Sequence, residues 1–172
     1  MNKTPDIYAK CPQKGLPPIH GESVKVLILG SFPSRQSLLK NEYYGNKRNH
    51  FWQIIETLFD IDRHLPYEVR TFQLAKRGIA LWDVICACER PGSADSRIRN
   101  TVPNDIAGFV REHPTIRLVA LNGSTAGRLY HRFAEIPGLP SVTLPSTSPA
   151  NAAVPFAEKI RAWKRIVDRD EN

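Results

Sequence analysis

VKVLILGSFPSRQSLLKNEYYGNKRNHFW, residues Val24 to Trp52, decides how the rest of the chain is read. It opens on VKVLILG, a continuous apolar run rich in Val, Ile and Leu that ends in a glycine, the pattern of a parallel strand buried on both faces. In open α/β sheets ligands sit beyond the carboxyl ends of the strands, so the polar segment Ser31 to Asn49 falls where a substrate would bind. That segment carries Pro33, the pair Tyr43 and Tyr44, Asn46, Asn49 and the cations Arg35, Lys47 and Arg48. A helix follows, with Phe51, Ile54, Ile55, Leu58 and Phe59 at the i, i+3, i+4, i+7, i+8 spacing of a face packed on a sheet.

Working outward, the same strand-then-helix rhythm repeats. Tyr67 to Lys76 reads as a second helix stopped by Gly78, a plausible C′ glycine. IALWDVI, Ile79 to Ile85, is the second strand, interrupted only by Asp83. A carboxylate near the end of a buried strand needs a reason: it either caps the following loop or is an acceptor aimed at a ligand. Cys86 to Asn100 reads as loop, with Pro91, Gly92, Ser93 and Asp95 as turn formers and Arg90, Arg97 and Arg99 placed for phosphate contact or for solvation. Pro103 to Glu112 reads as a helix with Asp105 in its first turn, which suits the macrodipole. IRLVALN is the third strand, and Gly123, Ser124 and Thr125 lead from it into the helix TAGRLYHRFAE. A Gly-Ser turn at a helix start offers N–H donors to an anion, while Ser124 or Thr125 as an ordinary N-cap is the commoner use. SVTLPSTSPAN, from Ser141, is the fourth strand running into a Pro-Ser loop. A last helix, Pro155 to Asp168, sets Phe156, Ile160, Trp163, Ile166 and Val167 on one core-facing stripe.

Four strands alternating with helices predict one three-layer α/β/α domain, residues 24–172, around a central four-stranded parallel sheet. Residues 1–23, with Pro5, Pro12, Pro17 and Pro18 and few apolar residues, are expected to be an irregular arm packed on it. At 172 residues the chain is one domain long and buries a core without staples. Its net charge of +7 favours a polyanionic partner but does not by itself identify one. Cys11, Cys86 and Cys88 cannot all pair, and C-A-C is not a zinc or iron–sulfur spacing, so reduced thiols are expected and no metal or cofactor. No run of signal length and none long enough to span a bilayer is present, which points to the cytoplasm and away from membranes. The nucleotide fingerprints G-x-x-x-x-G-K-[ST] and G-x-G-x-x-G are absent.

GSFPS followed by YYGNKRNHFW resembles the first motif of the uracil-DNA glycosylase superfamily, in particular its hypoxanthine-DNA glycosylase branch. LPSTSPAN resembles the second motif, LNGST the Gly-Ser loop, and GIALWDV the segment that reads the base edge, all in the family's order across residues 24 to 167. The resemblance implies an enzyme that binds double-stranded DNA with a damaged base, single-stranded DNA being a second substrate form. Such an enzyme swings the nucleotide out of the stack and hydrolyses its N-glycosidic bond. It implies that Tyr44 stacks on the extruded base and that Asp83 occupies the place of a base-reading Asn, with Ser31 and Phe32 also at the base. DNA contacts would come from Pro33, Ser34, Asn122, Gly123, Ser124, Ser146, Thr147 and Ser148. Pro149, Ala150 and Asn151 would lie where the intercalating segment does.

One departure matters. Phe32 fills the position at which uracil- and thymine-removing relatives carry a water-activating Asp or Asn, and a phenyl ring cannot orient water. The role must then have moved to Asn46 or Asn49, with Asn46 favoured, or Asn46 is merely a turn residue after Gly45. Asp83 could accept the N1–H of hypoxanthine, a proton that adenine lacks. No lysine nucleophile stands beside these motifs, which suits a monofunctional enzyme without a Schiff base, working as a monomer. The alternatives are a uracil-DNA or mixed-specificity glycosylase, and a non-catalytic DNA-binding domain that kept the fold.

Overall fold

The computed structural model describes residues 13–92 and 94–167. Pro5, Cys11, Pro12, Ser93 and Asp168, all invoked above, lie outside the described residues. In chain order the first elements are β1 (Gln13–Lys14), β2 (Val26–Gly30), α1 (Arg35–Lys40), α2 (Phe51–Phe59) and α3 (Tyr67–Lys76). Next come β3 (Ile79–Asp83), β4 (Ile85–Glu89), β5 (Arg99–Pro103) and α4 (Ile106–Glu112). The chain closes with β6 (Leu118–Asn122), α5 (Ser124–Phe133), β7 (Ser141–Leu144) and α6 (Phe156–Trp163).

The central sheet runs β3-β2-β6-β7, every neighbouring pair parallel. Strand alternation sends successive side chains to opposite faces, and the two faces are both apolar. Val26 and Ile28 of β2, with Ile79, Leu81, Leu118 and Ala120, pack into one cluster with α2, α3 and Trp163 of α6. Leu27 and Leu29, with Ala80, Val119 and Leu121, pack into a second cluster with α4 and α5. A sheet greasy on both sides must be covered on both sides. The result is the expected three-layer α/β/α arrangement around a four-stranded parallel sheet.

The region after β3 departs from the expected loop. The second apolar run breaks at Asp83 and Val84, and the chain re-enters as β4, which pairs antiparallel with β5 and with β1 in a small second sheet ordered β1-β4-β5. Its apolar signal is thin: in ICACE Ile85 and Cys88 are buried while Cys86 is exposed, and β5 is largely solvent-facing. Backbone pairing rather than burial holds this hairpin, so its sequence resembles a loop. Pro103 consequently ends a strand, and Asp105 caps α4 from outside, its Oδ1 accepting the Gly108 N–H at 2.8 Å.

The described part of the N-terminal arm is bound to the domain. Gln13 and Lys14 form β1, Leu16 is buried, and Ile19 exchanges backbone hydrogen bonds of 2.9 and 2.8 Å with Leu81. Part of the motif-bearing segment is helical: α1 starts at Ser34, whose Oγ accepts the Ser37 N–H at 3.1 Å, and stops at Asn41 in the left-handed region. Gly78, at φ 76°, ends α3 as its residue type requires. Beyond α6 the chain continues as a short 3-10 turn, Lys164–Ile166.

Candidate active site

Parallel strands end on one rim, and the loops there enclose a cavity of about 790 Å³. Tyr44, Asp83 and Ser146, which come from three separate segments of the chain, all line it, together with Phe32, Asn49 and Asn122. Its floor is set by register. Gly30 and Asp83 are Cα partners across β2 and β3, and a Cβ on Gly30 would collide with Asp83 Oδ1. Glycine is therefore the residue that lets the Asp83 carboxyl lie at the strand ends.

Asp83 is 4% exposed, and its Oδ2 has no hydrogen-bond partner. The backbone beside it is satisfied: its carbonyl accepts Asn104 Nδ2 at 2.8 Å, and Val84 N donates to Gly30 O at 2.9 Å. The side chain thus does not cap the following loop. Burial foremost, and the neighbouring Asp95 carboxylate, push the Asp83 pKa up from 3.8 to about 8, against an opposing pull from Arg90.

One wall belongs to the hairpin. Ser31 Oγ donates to Asp95 Oδ2 at 2.8 Å, while Arg90 Nη1 stands 3.9 Å from Asp95 Oδ1. Arg90 also donates from Nη2 to the Pro33 carbonyl and covers the Phe32 ring, its guanidinium carbon 4.9 Å from the ring centroid. At 3% exposed, Arg90 is an internal brace for the GSFPS turn, neither solvated nor free for phosphate. Burial lowers its pKa and raises that of Asp95.

The opposite wall joins the Gly-Ser and Pro-Ser loops. Asn122 Oδ1 accepts the Thr147 N–H, and Asn122 Nδ2 donates to Thr147 Oγ1, both at 3.0 Å. Thr147 itself is buried, and its carbonyl accepts the His50 N–H at 2.9 Å, tying in the start of α2. Gly123 has φ 98°, and a Cβ there would stand 2.9 Å from Ser146 Cβ, so the close approach of the two loops needs glycine. Neither Ser124 nor Thr125 caps α5: Gly123 holds the N-cap position with no side-chain hydrogen bond. Ser148 Oγ instead accepts the Ala150 N–H at 3.2 Å and starts a 3-10 turn, Pro149–Asn151. Asn151 Nδ2 returns to Ser146 O at 3.1 Å.

Tyr44 sits at φ 56°, a strained setting for a bulky residue, and stacks on Phe51 with ring centroids 3.9 Å apart and planes 20° from parallel. Only its other face can receive a second ring. The two asparagines part ways. Asn49 Oδ1 accepts the Phe51 N–H at 2.9 Å at the mouth of α2, and Asn49 lines the cavity. Asn46 Oδ1 accepts the Arg48 N–H at 2.9 Å in a local turn, and Asn46 is not among the cavity-lining residues.

Residues 17–167 match the family model described as the uracil DNA glycosylase superfamily. The chain belongs to that superfamily. It is 37% identical over 140 residues to a hypoxanthine DNA glycosylase of Methanosarcina acetivorans, spanning 81% of this chain and 88% of that one. A protein of the same description from Methanosarcina barkeri is 33% identical over the same shares. The solution NMR structure of a candidate uracil DNA glycosylase from Methanosarcina acetivorans superposes with a TM-score of 0.80 at 34% identity, covering 91% of this chain and 96% of that one.

Within this glycosylase-superfamily fold, motif reading found the strand-end residues and missed Arg90 and Asp95 as parts of the site. Ser34 caps α1 and, with Pro33, also lines the cavity, as do Asn122 and Thr147, whose side chains are bonded to each other. Ser124, Ser146, Ser148, Ala150 and Asn151 line the cavity; Gly123 and Pro149 do not appear in its wall.

Proposed function

We propose that this protein is a monofunctional DNA glycosylase that removes a deaminated base, hypoxanthine first, from DNA and leaves an abasic site. The observation that carries the reading is the single cavity shared by Tyr44, Asp83, Asn49 and the Ser146 loop, in a chain whose curated relatives are named hypoxanthine DNA glycosylases. Its volume suits an extruded nucleotide. The free face of Tyr44 stacks on the base, and Asp83 meets its hydrogen-bonding edge. The Gly123 and Ser146 loops approach the flanking backbone without bulk.

The bond breaks through a transition state with oxocarbenium character at the sugar. DNA phosphates stabilise the positive charge, and hydrogen bonds stabilise the departing base. An amide is too weak a base to ionise water but can position it. Asn49 is assigned that role in preference to Asn46, because Asn49 lies in the cavity wall and Asn46 does not, although the Oδ1 of each accepts a nearby backbone N–H. Ser31 holds Asp95, and with Arg90 it keeps the Phe32 turn fixed under the base.

A second cavity of about 460 Å³ adjoins the first at Asp95, Ser96 and Thr125, and Arg99, Arg128 and Arg132 line it. Its charge suits the backbone of the same duplex. The expected working form is a cytoplasmic monomer. Among the described residues no helix is long and apolar enough to cross a membrane.

Duplexes carrying one hypoxanthine, uracil or xanthine, incubated with the protein and then treated with alkali, test the reading. Scission at hypoxanthine is expected; scission at uracil alone would change the substrate. DNA binding without scission at any base would mean that Phe32 marks a domain that has lost catalysis.

A further inference from the structure

We infer that Asp83 meets the extruded base as a neutral carboxylic acid, offering an O–H donor and a C=O acceptor side by side to the N–H and C=O edge of a lactam. The inference rests on the glycosylase reading above. It concerns how the base is recognised.

Asp83 is a buried carboxyl whose Oδ2 is unpartnered in the wall of the cavity, while its Oδ1 lies against Gly30. No fold-stabilising role consumes that oxygen. The charged and titratable groups that act on it are Arg90 and Asp95 from the hairpin, and Tyr43 and Tyr44 from the loop after α1. Arg90 is already committed to the Pro33 carbonyl and to Asp95, and Asp95 would repel a second carboxylate. A carboxylate so buried, facing a second carboxylate and with its one neighbouring cation already committed, gives up its charge instead. The upward shift to about 8 agrees with that geometry.

The chemistry follows. Hypoxanthine, uracil and xanthine each present an N–H beside a carbonyl. A neutral carboxyl pairs with that edge through two hydrogen bonds, its C=O accepting the N–H and its O–H donating to the carbonyl. A carboxylate would accept the N–H but set a negative oxygen against the lactam oxygen. An acid kept neutral by an apolar surround is a known way for a buried carboxyl to donate. Asp83 therefore accepts any base with a lactam edge, guanine and thymine included, and excludes those without one; it does not by itself pick the deaminated bases.

The test is single-turnover base release from a hypoxanthine duplex across pH 5.5 to 10, for the parent, Asp83→Asn and Asp83→Ala. A ¹³C NMR titration of the side-chain carboxyls of the free parent accompanies it, with the Asp83 signal assigned by its loss in Asp83→Asn. The parent rate is expected to fall roughly tenfold per pH unit once the acid ionises. Asp83→Asn, which keeps a donor and an acceptor, should stay within about tenfold of the parent at pH 7 and lack that fall. Asp83→Ala should lose about a hundredfold or more at every pH. Ionisation of the base itself affects parent and variant alike, so their ratio is the readout. A parent rate that rises through the same range with Asp83→Asn inactive throughout, or an Asp83 carboxyl that titrates below pH 5, overturns the inference and leaves the glycosylase reading standing. A parent that releases no lactam base at any pH overturns both.

Discussion

At the scale of single residues, the site depends on a few positions that permit others to act. Gly30 is one: adding a methyl there drives a carbon into the Asp83 carboxyl. Gly30→Ala is expected to cost about 1–3 kcal/mol in urea unfolding and to depress base release further than that loss of stability explains. Asp83 and Ser146 were legible in the sequence because each stands at the end of a strand, where α/β sheets gather ligands, and Tyr44 through the YYGN motif that carries the family resemblance. Arg90 and Asp95 were not. Ser31 and Asp95 are 64 residues apart in the chain, and in PGSAD the acid reads as one more turn former. The Asn46 and Asn49 roles were equally hidden, because both sit in a polar segment and only the fold says which faces the cavity.

At the scale of elements, side-chain bonds between the strand-end loops add to the sheet register in holding the rim. The paired hydrogen bonds between Asn122 and Thr147 fasten the Gly-Ser loop to the Pro-Ser loop. Asn122→Ala leaves the buried Thr147 N–H without its acceptor, so it should lower stability by about 1–3 kcal/mol in chemical denaturation. It should also weaken duplex binding, read by fluorescence anisotropy, as the two loops separate. An unchanged stability would show that the brace is dispensable. The parallel strands were readable as apolar runs and most helices from periodicity, whereas the hairpin of β4 and β5 was not, since β4 buries two of its five side chains and β5 none, which leaves no periodic signal. Helix α1 did carry a signal, a serine before RQSLLK and an asparagine after it, which cap both ends.

At the scale of the whole molecule, protonation bears on stability and net charge on DNA binding. With Asp83 at about 8 when folded and 3.8 as its ordinary value, the native state holds an extra proton between those limits. The stability this group contributes is therefore complete below about pH 4 and is lost as pH rises through about 8. Thermal unfolding should show Asp83→Asn gaining on the parent from pH 6 to pH 9; a constant gap would contradict the shift. The net charge of +7 concentrates in part along Arg99, Arg128 and Arg132 beside the site. Replacing Arg128 and Arg132 by alanine should flatten the slope of log affinity against log salt by about 0.9 for each phosphate contact removed. An unaltered slope would place the duplex elsewhere.

The most direct test is single-turnover release of hypoxanthine from a duplex by the parent, Asn49→Ala and Asn46→Ala, with duplex affinity measured alongside. Alkali-labile sites are expected from the parent, a loss of about a hundredfold or more in rate for Asn49→Ala at unchanged affinity, and a much smaller loss for Asn46→Ala. Release by Asn49→Ala at the parent's rate would contradict the role assigned to Asn49.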